Sequence, residues 1–166
     1  MTETLCPVCA EQIVLPRGPK SAKVLVIGEK PGKEELEVFQ PFVGWSGKWL
    51  RKELAKVGQD LGAFRITNLW VHDVTKDDGC FNYGVELAVA EAQGREIVLL
   101  LGSETVKTFT GHGVMEVSGL EVESDLLSAP HIFAAPNPAI LAHAPVGEFQ
   151  LAMKKFSKLV DAVLGE

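Results

Sequence analysis

Four short, β-branched segments constrain this chain more than any other feature. They are Lys23-Val24-Leu25-Val26-Ile27, Arg65-Ile66-Thr67-Asn68-Leu69-Trp70, Glu96-Ile97-Val98-Leu99-Leu100-Leu101 and His131-Ile132-Phe133-Ala134-Ala135. The first, third and fourth are continuous apolar runs, which a strand needs only when both of its faces are covered. Helical patterns lie between them. Leu50, Leu54 and Val57 repeat at i, i+4, i+7 behind a candidate cap at Ser46. Residues 83 to 94 carry Val85, Leu87, Val89 and Ala90. Ser103 heads a short pattern with Val106 and Phe109 that stops at Gly111. Phe149, Ala152, Met153, Phe156, Val160 and Val163 form one long stripe. Strands alternating with helices predict an α/β fold: a three-layer α/β/α sandwich around a central, mostly parallel four-stranded sheet. Val114, Val117, Leu120 and Val122 flank Ser118-Gly119 and suggest a hairpin inside residues 112–130.

At 166 residues, 46% of them hydrophobic, the chain suits a single domain spanning 1–166. Residues 1–20, punctuated by Pro7, Pro16, Gly18 and Pro19, read as an irregular N-terminal arm. No apolar run approaches the roughly 20 residues of a membrane helix. Met1-Thr2-Glu3-Thr4 lacks the basic-then-apolar start of a signal peptide. A cytoplasmic monomer is expected. Three cysteines are too few for a disulfide framework, and the spacing of Cys6-Pro7-Val8-Cys9 favours metal or redox chemistry. The net charge of −6 argues against a general polyanion binder. Its distribution is uneven, however. No Lys or Arg lies between Lys107 and Lys154, whereas the first third holds Lys30, Lys33, Lys48, Arg51, Lys52 and Lys56. A polyanion should therefore meet the N-terminal half.

Parallel α/β sheets bind ligands beyond the carboxyl ends of their strands. Here those positions hold Gly28-Glu29-Lys30-Pro31-Gly32, Asn68, Gly102-Ser103 and Pro136-Asn137-Pro138. The first, followed by Glu34-Glu35, Pro41-Phe42-Val43-Gly44 and Ser46-Gly47, resembles the first motif of the family 4 (thermostable, iron-sulfur) uracil-DNA glycosylases. That motif is a GEAPG-like turn, acidic residues, then PFVG and a helix. Ile66-Thr67-Asn68 is similar to the family's ITN strand end, and Leu100-Leu101-Gly102 to its LG turn. Asn137 through His143 falls where the family has a histidine, a proline, a small residue and a run ending in arginine.

The resemblance implies a pocket for one flipped pyrimidine in DNA. Phe42 would supply a stacking face, and the Asn68 amide, both donor and acceptor, would read the base edge. Gly28 would let the backbone approach the base. Glu29 would orient water against an oxocarbenium-like sugar, and Asn137 would stand at the family's catalytic histidine. Lys30 replaces the family's small residue and would face the base or a phosphate. Lys48 and His143 would contact DNA. His143 takes the place of the family's cationic arginine, and Asn137 lacks a histidine's positive charge. Both departures bear on activity. The family's cluster ligands correspond to Cys6 and Cys9. His72 stands at the third position, and Cys80 lies slightly upstream of the fourth. Cys6, Cys9, His72 and Cys80 are thus candidate ligands for a [4Fe-4S] cluster or zinc.

Three functions stay open. The first is a monofunctional hydrolase excising uracil or a related damaged base from DNA in base excision repair. The second is a weak or inactive glycosylase-like module binding DNA, a modified base or a replication or repair protein. The third is an enzyme of the same fold acting on another base or on a nucleoside, with Lys30 in the pocket.

Overall fold

The computed structural model describes residues 4–73, 78–139 and 146–165. Five strands form one sheet in the order β2-β1-β3-β5-β4. They are β1 (Val24–Gly28), β2 (Arg65–Asn68), β3 (Ile97–Leu101), β4 (Leu120–Val122) and β5 (His131–Ala135). β1 pairs in parallel with β2 and β3, and β3 with β5; only β4 runs antiparallel, along β5. The register sets Gly28 beside Asn68 and Leu101 beside Ala135. The chain proceeds from β1 to one side and then returns to β3 on the other, so connections diverge between β1 and β3. Such a switch point opens a crevice.

The continuous apolar runs are explained by where alternate residues go. Val24, Val26, Ile97, Leu99, Leu101, Phe133 and Ala135 pack on one face, against helices α2 (Trp45–Lys56) and α6 (Val146–Leu164). Leu25, Ile27, Val98, Leu100, Ile132 and Ala134 pack on the other, against α3 (Asp78–Ala92) and α4 (Ser103–Thr110). The α6 stripe buries Phe149, Ala152, Met153, Phe156 and Val160 in the first of these cores. Two short helices complete the set, α1 (Lys33–Val38) and α5 (Val114–Val117).

The sheet has five strands, not the expected four. The expected hairpin is replaced by α5 followed by the single edge strand β4, whose three residues are mostly exposed. The caps also shift: Gly44, not Ser46, precedes α2, and Gly102, not Ser103, precedes α4. Gly111 does end α4 in the left-handed region, at φ 80°. The N-terminal arm lies along the free edge of β2. Arg17 exchanges backbone hydrogen bonds with Ile66. Arg65 donates to the carbonyl of Gly18, Arg95 donates to those of Lys20 and Ala22, and Glu91 accepts from both guanidiniums. No helix among the described residues is long and apolar enough to cross a membrane.

Candidate functional site

Beyond the ends of β1, β2 and β3 lies a cavity of about 340 Å³, lined among others by Gly28, Glu29, Lys30, Phe42, Asn68 and Asn137. Its floor is Gly28. A Cβ there would sit 2.5 Å from Phe42 Cζ and 2.5 Å from Asn68 Oδ1, so the aromatic ring and the amide meet over a backbone that tolerates no side chain. Phe42 is 8% exposed and belongs to the core under α2 while also facing the cavity. Asn68 is 5% exposed. Its side-chain amide has no hydrogen-bond partner among the described residues. The amide faces the cavity, where a ligand could bond both its ends.

Glu29 is held from two sides. Its Oε1 accepts from Asn137 Nδ2 at 3.0 Å, and its Oε2 from the backbone N–H of Glu104 at 2.6 Å, in the first turn of α4. That helix end presents positive dipole to the carboxylate. A Cβ at Gly102 would sit 2.4 Å from the Glu29 carboxyl carbon, so glycine there makes room for the side chain. The Asn137 amide is engaged at both ends, because its Oδ1 accepts from the N–H of Ala139. Each Glu29 oxygen keeps a lone pair for a water or substrate group.

Glu35, named above within the acidic pair of the first motif, has a structural role that the sequence does not show. In the structure it is buried, and its carboxylate accepts from the N–H groups of Gly32, Val43 and Gly44. One side chain thus ties the Glu29 turn to the loop carrying Phe42. The findable signal was a glutamate three residues after a helix-starting glycine, half of a capping box. Gly47 secures the same loop from below: a Cβ there would lie 2.0 Å from the Phe42 carbonyl oxygen, so α2 packs directly on that backbone. Trp45 was missed. It lines the cavity mouth and is 44% exposed. Lys30 is exposed at the rim, Lys48 lies outside the cavity on α2, and His143 is outside the described residues.

A second constellation joins the arm to the exit of β2. The ligand atoms of Cys6, Cys9, His72 and Cys80 all lie within 4.8 Å of one another. Cys6 Sγ is 3.9 Å from Cys80 Sγ, and Cys9 Sγ is 3.4 Å from His72 Nε2. His72 Nδ1 faces the Asp73 carbonyl at 2.7 Å, an acceptor only, so Nδ1 carries the proton and Nε2 presents its lone pair to the sulfurs. Burial pushes the Cys6 thiol up, but the N–H groups of Cys9 and Val8, with the His72 ring, outweigh it and bring it down to about 7. At Cys9 the N–H of Glu11 acts downward, yet desolvation and the neighbouring sulfurs of Cys80 and Cys6 raise the thiol to about 11. Trp70, Val71, Ile13 and the flanks of α3 wrap the group in a small apolar shell of its own.

One tetrahedral ion with metal–sulfur bonds near 2.3 Å and metal–nitrogen bonds near 2.0 Å sets its ligand atoms about 3.5–3.8 Å apart. These two separations lie close to that range, and the remaining ligand atoms are at most 4.8 Å apart. A cubane cluster carries its ligands on four separate irons at its corners and holds them farther apart. The four residues are compatible with either, but a cluster would need these side chains to spread, whereas a single ion would not. The donor set agrees, since mixed cysteine and histidine ligation is ordinary for zinc.

The resemblance of the motifs that build this site agrees with comparison to known families. The family model described as the uracil DNA glycosylase superfamily matches residues 15–162, nearly the whole chain, and the protein belongs to that superfamily.

Proposed function

We propose that this protein is a monofunctional DNA glycosylase that hydrolyses the bond between uracil and deoxyribose in DNA. The observation carrying this reading is the amide of Asn68, turned to the cavity beside the ring of Phe42 over the bare backbone of Gly28. A pyrimidine stacked on that ring offers N3–H and O4 to one carboxamide, which accepts from the first and donates to the second. The C1′–N1 bond breaks with its electron pair leaving on uracil. Water held by Glu29 adds its oxygen to C1′ and gives its proton to the carboxylate. Asn137 acts through Glu29, fixing the direction in which that carboxylate points.

No side chain in this arrangement supplies a cationic donor to the departing base at the Asn137 position. Losing one such donor typically costs about 10²–10³ in rate, so excision is slow and best followed in single turnover. Expected is release of uracil from single-stranded and U:G DNA by the wild-type protein, reduced roughly 10²-fold or more in Asn68→Ala. Uracil-containing DNA left intact after abasic-site cleavage would refute the hydrolase. The engagement of both ends of the Asn137 amide favours a second reading, a module that binds uracil-containing DNA without cutting it. Retained affinity with no release would select it.

We further propose descent from the family 4 enzymes with the cluster site converted to a structural zinc site. Freshly purified protein should be colourless and carry about one zinc per chain by elemental analysis. Cobalt substitution should give the visible bands of a tetrahedral thiolate site. A brown preparation containing iron and sulfide would overturn the assignment.

A further inference from the structure

The surface of α2 beside the cavity mouth has a composition that uracil recognition does not require. Trp45, Lys48, Trp49 and Lys52 recur at i, i+3, i+4 and i+7 and share one helix face. They lie opposite Gly47, Leu50 and Leu54, which are buried in the core. Trp45 and Trp49 pack edge to face with centroids 5.7 Å apart, and the Lys52 ammonium sits 4.7 Å above the Trp49 ring. Tryptophan is costly to leave in water, and 44% of Trp45 is exposed. The same residue lines the cavity that Phe42 lines, so aromatic side chains stand both within the site and at its mouth. The only carboxylate of α2, Glu53, is buried and paired with Lys56. This face is therefore positive on a chain whose net charge is −6.

We propose that the Trp45 face of α2 is a stacking platform for single-stranded DNA, receiving the base next to the flipped nucleotide. Trp49 braces the Trp45 ring, and Lys48 and Lys52 meet the phosphates on either side of the stacked base. Base-on-aromatic stacking with flanking cations is how sequence-neutral single-strand sites are built. A duplex keeps that neighbouring base stacked on its own strand, so the platform makes single-stranded DNA the preferred substrate. The proposal rests on the cavity taking a base from DNA, but not on excision.

The protein carries its own reporter. Of three tryptophans, Trp70 is buried with its indole N–H bonded to Glu104, which leaves Trp45 and Trp49 as the rings that solution can reach. Titration with an oligothymidylate of about 12 nucleotides, within the usual single-strand site size, should quench tryptophan fluorescence without any uracil present. A blunt duplex of equal length should quench it much less. Trp45→Ala should lose the quenching and weaken oligothymidylate binding on the order of 5- to 100-fold, and Trp45→Phe should restore much of the affinity. Both variants should melt like the wild type, since the ring supports no core. Oligothymidylate affinity unchanged in Trp45→Ala, or equal quenching by duplex and single strand, would overturn the platform even if uracil is released. Quenching and affinity lost with Trp45 while the wild type releases no uracil would uphold it and remove only the excision reading.

Discussion

Glu29→Gln should lower the single-turnover rate of uracil release by about 10²–10⁴-fold, the range for loss of a positioned base, or roughly 3–5 kcal/mol in the barrier. Its affinity for uracil-containing DNA should change only a few-fold. Glutamine fills the same volume beside Gly102. Its single carbonyl can satisfy either the Asn137 amide or the Glu104 N–H, but not both, and it cannot take a proton from water. Asn137→Ala should fall between the wild type and Glu29→Gln, because it leaves the carboxylate present but releases one of its two anchors. A Glu29→Gln rate close to wild type would mean that the carboxylate only braces α4 against the β1 turn.

The second large effect concerns the arm. Cys80→Ser should lose the bound metal and about 4 kcal/mol of stability, among the largest single-residue costs. For a chain of this size that is a fall in Tm of roughly 8–16 °C. A strong chelator should reproduce the shift in the wild-type protein and leave Cys80→Ser unaffected. Limited proteolysis should then cut around Cys6 and Cys9, ahead of the anchors that remain among the described residues: the backbone bonds of Val14 to Val71 and Arg17 to Ile66, and the arginine bonds to the carbonyls of Gly18, Lys20 and Ala22. A chelator without effect on Tm would show that the sulfurs contribute by packing alone.

The parts of the fold that were legible are those in which one physical requirement writes a long pattern. Burial on both faces forces continuous apolar runs, so β1, β3 and β5 were visible, and the stripe of α6 follows from its single buried face. β4 was legible only as the second arm of the expected hairpin, at Leu120 and Val122, because three mostly exposed residues at a sheet edge carry little period. Val114–Val117 misled for a related reason. Four residues with valines at both ends fit a strand or one helical turn equally, and packing against β5 decides for the turn.

The site shows the same division. Glu29, Phe42, Asn68 and Asn137 were named from strand ends and motif resemblance, and the structure brings all four to one cavity. What escaped was the support beneath them. Glu35 acts through three backbone N–H groups, and Gly102 and Gly47 act by lacking a side chain; neither kind of contribution has a compositional signature. Trp45 escaped because a tryptophan at a helix start reads as core until its neighbours at i+3, i+4 and i+7 are set on the same exposed face.

Phe42 adopts φ 56°, a backbone conformation that a residue with a side chain rarely takes, and it does so with Gly47 pressed against its carbonyl and Glu35 gripping the two amides that follow. Folding itself has therefore met the cost of fixing this ring, on the order of 1–3 kcal/mol. An arriving base finds a rigid shelf and loses no affinity to the ordering of a loop. The same preorganisation makes the shelf unforgiving, since a substitution that relaxes the Phe42 backbone would move the cost of fixing the ring to the binding step.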